Sequence, residues 1–151
     1  MNPLTEQLEA VFSMLHDGSI TAGSRKSEKL LLTVDCAYLA GLIDPRFTNV
    51  LLVLGEPEIF VFEPWLEQNA PRLTMTDVDQ IVSCELEILS ADTVGDRVVV
   101  SCKAWNGDGF KGGNLSVRCK KIELYDESGA PLSPESLAKY SKRYWDGFGS
   151  R

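Results

Sequence analysis

Apolar residues recur at helical spacing near both ends of the chain, which predicts a helix over about residues 3–16 and another over about residues 134–146. The repeating positions of the first are Leu4, Leu8, Val11, Phe12 and Leu15. Those of the second are Leu137, Tyr140 and Tyr144, with Trp145 beside them. Amphipathic stripes of this kind usually face a core, so we expect both helices to cover a sheet.

Between the two helices, apolar and polar residues alternate every second position, which is the period of a half-buried β-strand. Two runs have apolar residues at consecutive positions, which indicates burial on both faces, and Gly55-Glu56-Pro57 between them predicts a tight hairpin. The predicted strands are about 29–38, 48–54, 58–63, 82–90, 97–105 and 114–125. We expect the last three of them to form a meander with one wet face.

The turns of this meander predict its register. With turns centred near residues 94 and 110, Glu85 lies opposite Lys103, and Lys103 lies opposite Arg118. Acid then meets base across the exposed face, which would set the register and favour solubility. A change of phase along the last strand predicts a bulge near Lys120-Lys121.

Strands joined by short turns, with helices confined to the two ends, predict a single α+β domain that is mainly β. We expect an antiparallel sheet or a β-sandwich of about six to seven strands, with an N-terminal and a C-terminal helix. A length of 151 residues suits one domain. Successive strands are not linked by helix-length segments, which argues against a parallel sheet.

Charge narrows the classes of partner. The net charge is -7. Residues 1–96 hold 16 acids against 5 bases, whereas residues 97–151 hold 6 acids against 10 bases. Nucleic acids and anionic membranes require a basic surface, so the sequence argues against both. The first residues lack the basic start of a secretion signal and no apolar run could cross a bilayer, so the expected location is the cytoplasm.

Three features resemble chemical motifs, and each has a simpler interpretation. Residues 107–112 fit G-x-G-x-x-G, but a strand is predicted to follow, so we expect a mobile loop with Phe110 at its tip. His16 is the only histidine, and a helix C-terminus explains its place. The cysteines are Cys36, Cys84, Cys102 and Cys119. Their spacing fits neither zinc nor a redox pair, so we expect buried thiols, and we predict no catalytic residue, metal site or cofactor.

An acidic stretch that contains aromatic residues carries the leading functional hypothesis. From Asp44 to Asp96 there are 11 acids and 2 bases. The candidate partner-binding residues are Glu56, Glu58, Glu63, Trp65, Glu67 and Phe110. Because acidic surfaces with aromatic anchors bind basic proteins, we expect a non-enzymatic interaction module with a basic partner. This is the general character of small acidic immunity or antitoxin-type proteins, although the chain contains no family motif.

Two alternatives remain open. The first is a small-molecule binding protein or enzyme whose pocket lies between the sheet and the terminal helices, lined by Tyr140, Tyr144, Trp145 and Trp105. The second is a homodimer formed through an exposed strand edge.

Overall fold

A computed structural model describes residues 3–67, 70 and 72–149 of the chain. Within these residues the helices are α1 (Pro3–Met14), α2 (Ala37–Ile43), α3 (Val78–Ser83) and α4 (Pro134–Gly149). The strands are β1 (Ser19–Lys26), β2 (Lys29–Asp35), β3 (Asn49–Gly55), β4 (Ile59–Pro64), β5 (Leu86–Val94), β6 (Arg97–Ala104), β7 (Gly112–Arg118), β8 (Lys121–Asp126) and β9 (Pro131–Leu132). All of these strands belong to one antiparallel sheet in the order β4-β7-β6-β5-β1-β2-β3-β8-β9. The predicted mainly β, antiparallel architecture with a helix at either end is confirmed, whereas the strand number of six to seven is too low.

The sheet curls back on itself because two chain segments contribute strands to both of its ends. Residues 49–64 carry β3 and then β4, while residues 112–126 carry β7 and then β8. β3 pairs with β8, and β4 pairs with β7. Between the two pairings, the Lys120 N–H donates to the Gly55 carbonyl at 3.0 Å and the Glu58 N–H donates to the Arg118 carbonyl at 2.7 Å. The two segments therefore stay side by side through the junction.

This pairing contradicts the tight hairpin predicted at Gly55-Glu56-Pro57. β3 lies between β2 and β8, so the chain does not fold back at this point but continues into β4 beside the same neighbouring segment. Glu56 adopts a φ of 46°, and its N–H donates to the Glu28 carbonyl. The bulge predicted near Lys120-Lys121 is instead a break in the predicted strand 114–125: β7 ends at Arg118, and β8, which begins at Lys121, pairs with β3 and leaves the meander.

The core consists of the inward-facing residues of the curled sheet together with the apolar stripe of α1. Leu8, Val11, Phe12 and Leu15 are all buried, and α1 packs against β5 and β6. α3 covers β1 at Gly23, where a Cβ atom would lie 3.0 Å from the side chains of both Val78 and Val82. α4 packs on α1 and α2, with Leu137 fully buried. Among the residues described, the helices include none that is both long and apolar enough to cross a membrane.

Two regions differ from the sequence prediction in their secondary structure. β1 was not predicted because the sequence SITAGSRK offers Ile20 as its one large apolar residue and shows no alternation. Residues 82–83, predicted to begin a strand, instead end α3, a helix that the Asp77 carboxylate caps by accepting the Asp79 N–H at 2.9 Å. The strand that was predicted over residues 82–90 therefore begins at Leu86.

The meander exists, but its predicted register is wrong. Lys103 lies opposite Glu87 on one side and Gly112 on the other, rather than opposite Glu85 and Arg118. The first turn is the tight pair that follows Val94, and the second loop, 105–111, is centred earlier than residue 110. Arg118 instead pairs with acids outside the predicted row, as described below.

Candidate interaction surface

The acidic stretch is divided between the two ends of β4. Glu56 and Glu58 precede the strand, whereas Glu63 is near its end and Trp65 and Glu67 follow it. Five residues of extended chain separate Glu58 from Glu63, which is roughly 17 Å. The five candidate residues of this stretch therefore fall into two groups, one at each end of β4.

At the Glu56 and Glu58 end, basic side chains of the same chain balance the acids. A cleft of about 360 Å³ is lined by Arg25, Ser27, Glu28, Lys29, Glu56, Pro57, Glu58 and Lys120. Arg118 binds the Glu58 carboxylate at 3.0 Å and also contacts Asp96. The Glu58 carboxylate raises the pKa of Arg118, while hydrogen bonding to Arg97 is the main cause of the lowered pKa of Asp96. This end offers a mixed-charge surface with little net attraction for a basic partner.

At the other end of β4, Trp65 is held in place although 48% of its surface is exposed. Its backbone N–H donates to the Gly112 carbonyl at 2.8 Å, and its indole N–H donates to the Asn114 side-chain oxygen at 3.2 Å. The ring lies directly over Gly112, where a Cβ atom would be 2.6 Å from Trp65 Cζ3. Glycine at position 112 therefore lets the ring lie close to the sheet.

Trp65 borders a cleft of about 310 Å³. Its lining comprises Glu63, Pro64, Trp65, Leu66, Glu67, Ala70, Arg72, Leu73 and Asn114. Glu63 and Glu67 are exposed, and within the described part of the chain neither carboxylate lies at ion-pair distance from a base. With Arg72 as its one basic lining residue, the cleft carries more negative than positive charge.

A second tryptophan, Trp105, is also both exposed and fixed. It is 58% exposed, its backbone N–H donates to the Glu85 carbonyl at 3.2 Å, and its indole N–H donates to Glu87 Oε1 at 3.2 Å. Lys103 Nζ lies 3.6 Å from the centre of the ring, in a cation–π contact. The following residue, Asn106, hydrogen-bonds the carbonyls at the end of α3, which anchors the loop.

Trp65 and Trp105 lie on the same side of the sheet. Lys103 is exposed and directly opposes Gly112, over which Trp65 lies, and also Glu87, which binds Trp105. Directly opposed residues of an antiparallel pair project from the same face, so the two indoles flank Lys103 at a separation on the order of 10 Å. We call the surface formed by Glu63, Trp65, Glu67, Glu87, Lys103, Trp105 and Asn114 the tryptophan face.

The sequence contained a signal for this surface that the acidic composition obscured. Phe60, Phe62 and Pro64 are buried positions of β4, so Trp65 falls in the outward phase that follows them. Trp105 likewise follows the buried Ala104 in the outward phase of β6. An aromatic residue two positions beyond an exposed polar residue of a strand shares its outward phase, and Trp105 after Lys103 and Trp65 after Glu63 both fulfil this condition.

Phe110 does not contribute to the surface. Its side chain is 7% exposed, and its ring centre lies 6.0 Å from that of Phe62 in the core. The prediction of an aromatic tip is therefore wrong. The loop folds Phe110 back onto Gly107, where a side chain would clash with the ring.

Aromatic side chains pack against one another between α4 and its neighbours, in the region where the alternative hypothesis placed a small-molecule pocket. The His16 and Trp145 rings stack at 4.6 Å, Tyr144 contacts Trp145 at 4.8 Å, and Tyr38 contacts Tyr144 at 4.8 Å. The Tyr38 hydroxyl also donates to the His16 carbonyl. Trp105 belongs to the tryptophan face and not to this cluster.

The four thiols are buried and unbonded to one another, as predicted. Burial raises the pKa of Cys102 to about 12, and burial, aided by the charge of Asp35, raises that of Cys36 to about 12. Across the described residues, no group of three His, Cys, Asp or Glu side chains is placed to hold a metal ion.

Comparisons with protein-family models, with curated proteins and with solved structures found no match for this chain. Its function is therefore inferred from the geometry of its surface.

Proposed function

We propose that this protein is an interaction module that binds a basic partner protein through the tryptophan face. The observation that supports the proposal most directly is the immobilisation of two half-exposed indoles on one face, each by a backbone and a side-chain hydrogen bond. Tryptophan is the residue most enriched among binding hot spots, and an indole that is already fixed loses little conformational freedom on binding.

Charge supports a basic partner over an acidic one. The chain carries a net charge of -7, and the Trp65 cleft presents Glu63 and Glu67 without ion-pair partners among the residues described. Such acids speed encounter with a positively charged surface, while the buried area of the aromatic anchors supplies affinity. Of the predicted binding residues, Glu63, Trp65 and Glu67 belong to this proposal, and Glu56 and Glu58 do not.

The proposed role is binding without catalysis, and the proposed location is the cytoplasm. Four buried free thiols are what a reducing compartment maintains. A role like that of acidic immunity or antitoxin proteins is one form that binding to a basic partner would take.

Capture from cell extract tests the tryptophan face. Tagged wild-type protein should retain a partner at low salt that is lost from a double variant, Trp65→Ala with Trp105→Ala, and whose retention falls as salt is raised. Val94→Ala is the matched control, because Val94 is also an exposed apolar residue but lies at the far end of β5. Equal retention by the double variant and the wild type would refute the proposal, provided that circular dichroism shows both to be folded.

A further inference from the structure

We infer that Trp65, Glu63 and Glu67 form a receptor site for an arginine side chain of the partner. The inference rests on the proposed function and specifies which chemical group enters the cleft of about 310 Å³ beside Trp65. It follows from comparing the two indoles of the tryptophan face.

At Trp105 the protein shows a completed cation–π site. A lysine ammonium of the same chain lies 3.6 Å from the ring centre, and a carboxylate, that of Glu87, binds the indole N–H. The ring, the cation and the acid are thus assembled within one chain. An exposed indole on this face therefore binds a cation on its ring.

At Trp65 the ring and the acids are present, and Arg72 lines the same cleft, but among the described residues no cation is stacked on the ring. The indole N–H is bound by Asn114, one side of the ring lies against Gly112, and the ring also borders the cleft. In the described part of the chain, no lysine or arginine is stacked on this indole. The side of the ring that borders the cleft is therefore open to a positive group supplied by another molecule.

Arginine fits the site better than lysine does. A guanidinium is planar, stacks on an indole, and presents several N–H donors in a plane that suits carboxylates such as those of Glu63 and Glu67. Leu73, which is 42% exposed, also lines the cleft and offers apolar surface to the methylene stem of the side chain. The one opposing feature is Arg72, whose positive charge lies in the same lining.

Arg72 makes the inference testable in two directions. If the cleft receives a cation, the double variant Glu63→Gln with Glu67→Gln should bind an arginine-containing peptide more weakly than the wild type. Arg72→Gln should bind the same peptide more tightly. Exposed charge pairs are individually weak, so we expect the double glutamine variant to reduce affinity by roughly two- to thirtyfold. Glu135→Gln, an exposed acid in the first turn of α4, is the matched control and should have no effect.

The experiment is an NMR titration that follows the indole N–H resonances of the 3 tryptophans. Assignment uses a Trp→Phe variant for each. The probe is the tripeptide acetyl-Gly-Arg-Gly-amide, and the control is the same peptide with neutral citrulline in place of arginine. We expect the arginine peptide to shift the Trp65 resonance in a saturable manner at millimolar concentration, with the Trp145 resonance unmoved and citrulline several-fold weaker.

Several outcomes would overturn the arginine site. The first is a Trp65 resonance that the arginine peptide does not move, and the second is equal binding of the arginine and citrulline peptides. The third is weaker binding of the arginine peptide to the Arg72→Gln variant than to the wild type. The fourth is a saturable shift with a neutral disaccharide but not with the peptide, which would identify a sugar-binding surface. Loss of the arginine site would leave the proposed function standing if the tryptophan double variant still loses its partner from extract. If that variant keeps its partner while the peptide binds at Trp65, the proposed function falls and the arginine site stands.

Discussion

Replacing Gly112 by alanine should destabilise the protein and displace Trp65. A Cβ atom at this position would lie 2.6 Å from the Cys102 carbonyl oxygen and 2.6 Å from Trp65 Cζ3, distances that side-chain carbons do not reach without movement of their neighbours. The Trp65 ring can move away, whereas the Cys102 oxygen belongs to the adjacent strand β6. Overpacking of this kind costs about 1–3 kcal/mol of the free energy of unfolding.

Gly41→Ala is the control, because Gly41 lies inside α2 and has open space where a Cβ atom would go. This variant should gain about 0.5–1 kcal/mol, since alanine is the better helix former. Urea unfolding of both variants, with the slope as well as the midpoint measured, gives the two free energies. Opposite signs are expected for the same chemical change.

A double-mutant cycle with Trp65→Ala tests the contact itself. Removing the indole relieves one of the two close approaches, so Gly112→Ala should cost less in the Trp65→Ala background than in the wild type. A coupling free energy of at least about 0.5 kcal/mol is expected, whereas costs that add within about 0.3 kcal/mol would refute the position of the ring over Gly112.

The remaining predictions concern the helices, the thiols and the surface charges. Leu137→Ala should cost about 2–5 kcal/mol in urea unfolding because Leu137 is fully buried on the inner side of α4, whereas Lys139→Ala on the exposed side of the same helix should stay within about 0.5 kcal/mol. Native protein at pH 8 should react with a thiol reagent far more slowly than urea-unfolded protein, since Cys36 and Cys102 are buried with a pKa of about 12; rapid native reaction would contradict their burial. Hydrogen bonds from Arg46 lower the pKa of Asp44 from 3.8 to about 2, so the contribution of this pair to stability is present above pH 4 and is lost between pH 4 and 2. The melting temperature of the wild type should therefore fall more over this interval than that of Asp44→Asn. An equal fall in the two proteins would contradict the pairing.

The elements that the sequence predicted well are those whose periodicity reflects burial. The stripe of α1 and the alternation of β6 follow from contact with the core, and the bounds of α1, β3, β4 and β6 agree within about two residues. Burial on both faces was wrong for β4, whose buried residues alternate with partly or fully exposed ones. β1 escaped prediction because most of its residues are exposed and it is held by pairing with β2. Pairing through backbone hydrogen bonds does not require particular side chains, so the sequence does not show it.

The curling of the sheet and its register depend on interactions between distant residues. The turn composition of Gly55-Glu56-Pro57 predicted a hairpin, but the chain continues from β3 into β4, with Glu56 at a positive φ in the connection. The predicted register of the meander is wrong at both turns: the β5–β6 pair contains a register shift between Ile88 and Ser90, and the loop before Gly112 ends earlier than its glycine content suggested. A register error relocates every side-chain pair, which is why Lys103 faces Glu87 and Gly112 instead of the predicted partners.

The candidate site was predictable in part. Strand length alone separates Glu58 from Glu63, because an extended segment places residues five positions apart at roughly 17 Å. The outward phase of Trp65 and Trp105 was also visible in the sequence. Their common face was not, since it depends on the pairing of Lys103 with Gly112 and on the absence of a side chain at residue 112.

Acidic side chains and tryptophans would contribute to binding at different stages. A net charge of -7 attracts a basic partner toward much of the surface, so the acids alone do not select a face. The two fixed indoles do select one, because contacts that exclude water form only where a partner covers Trp65 and Trp105. Substitution of Glu63 and Glu67 should therefore act mainly on the association rate and its salt dependence, while substitution of either tryptophan should act mainly on the dissociation rate.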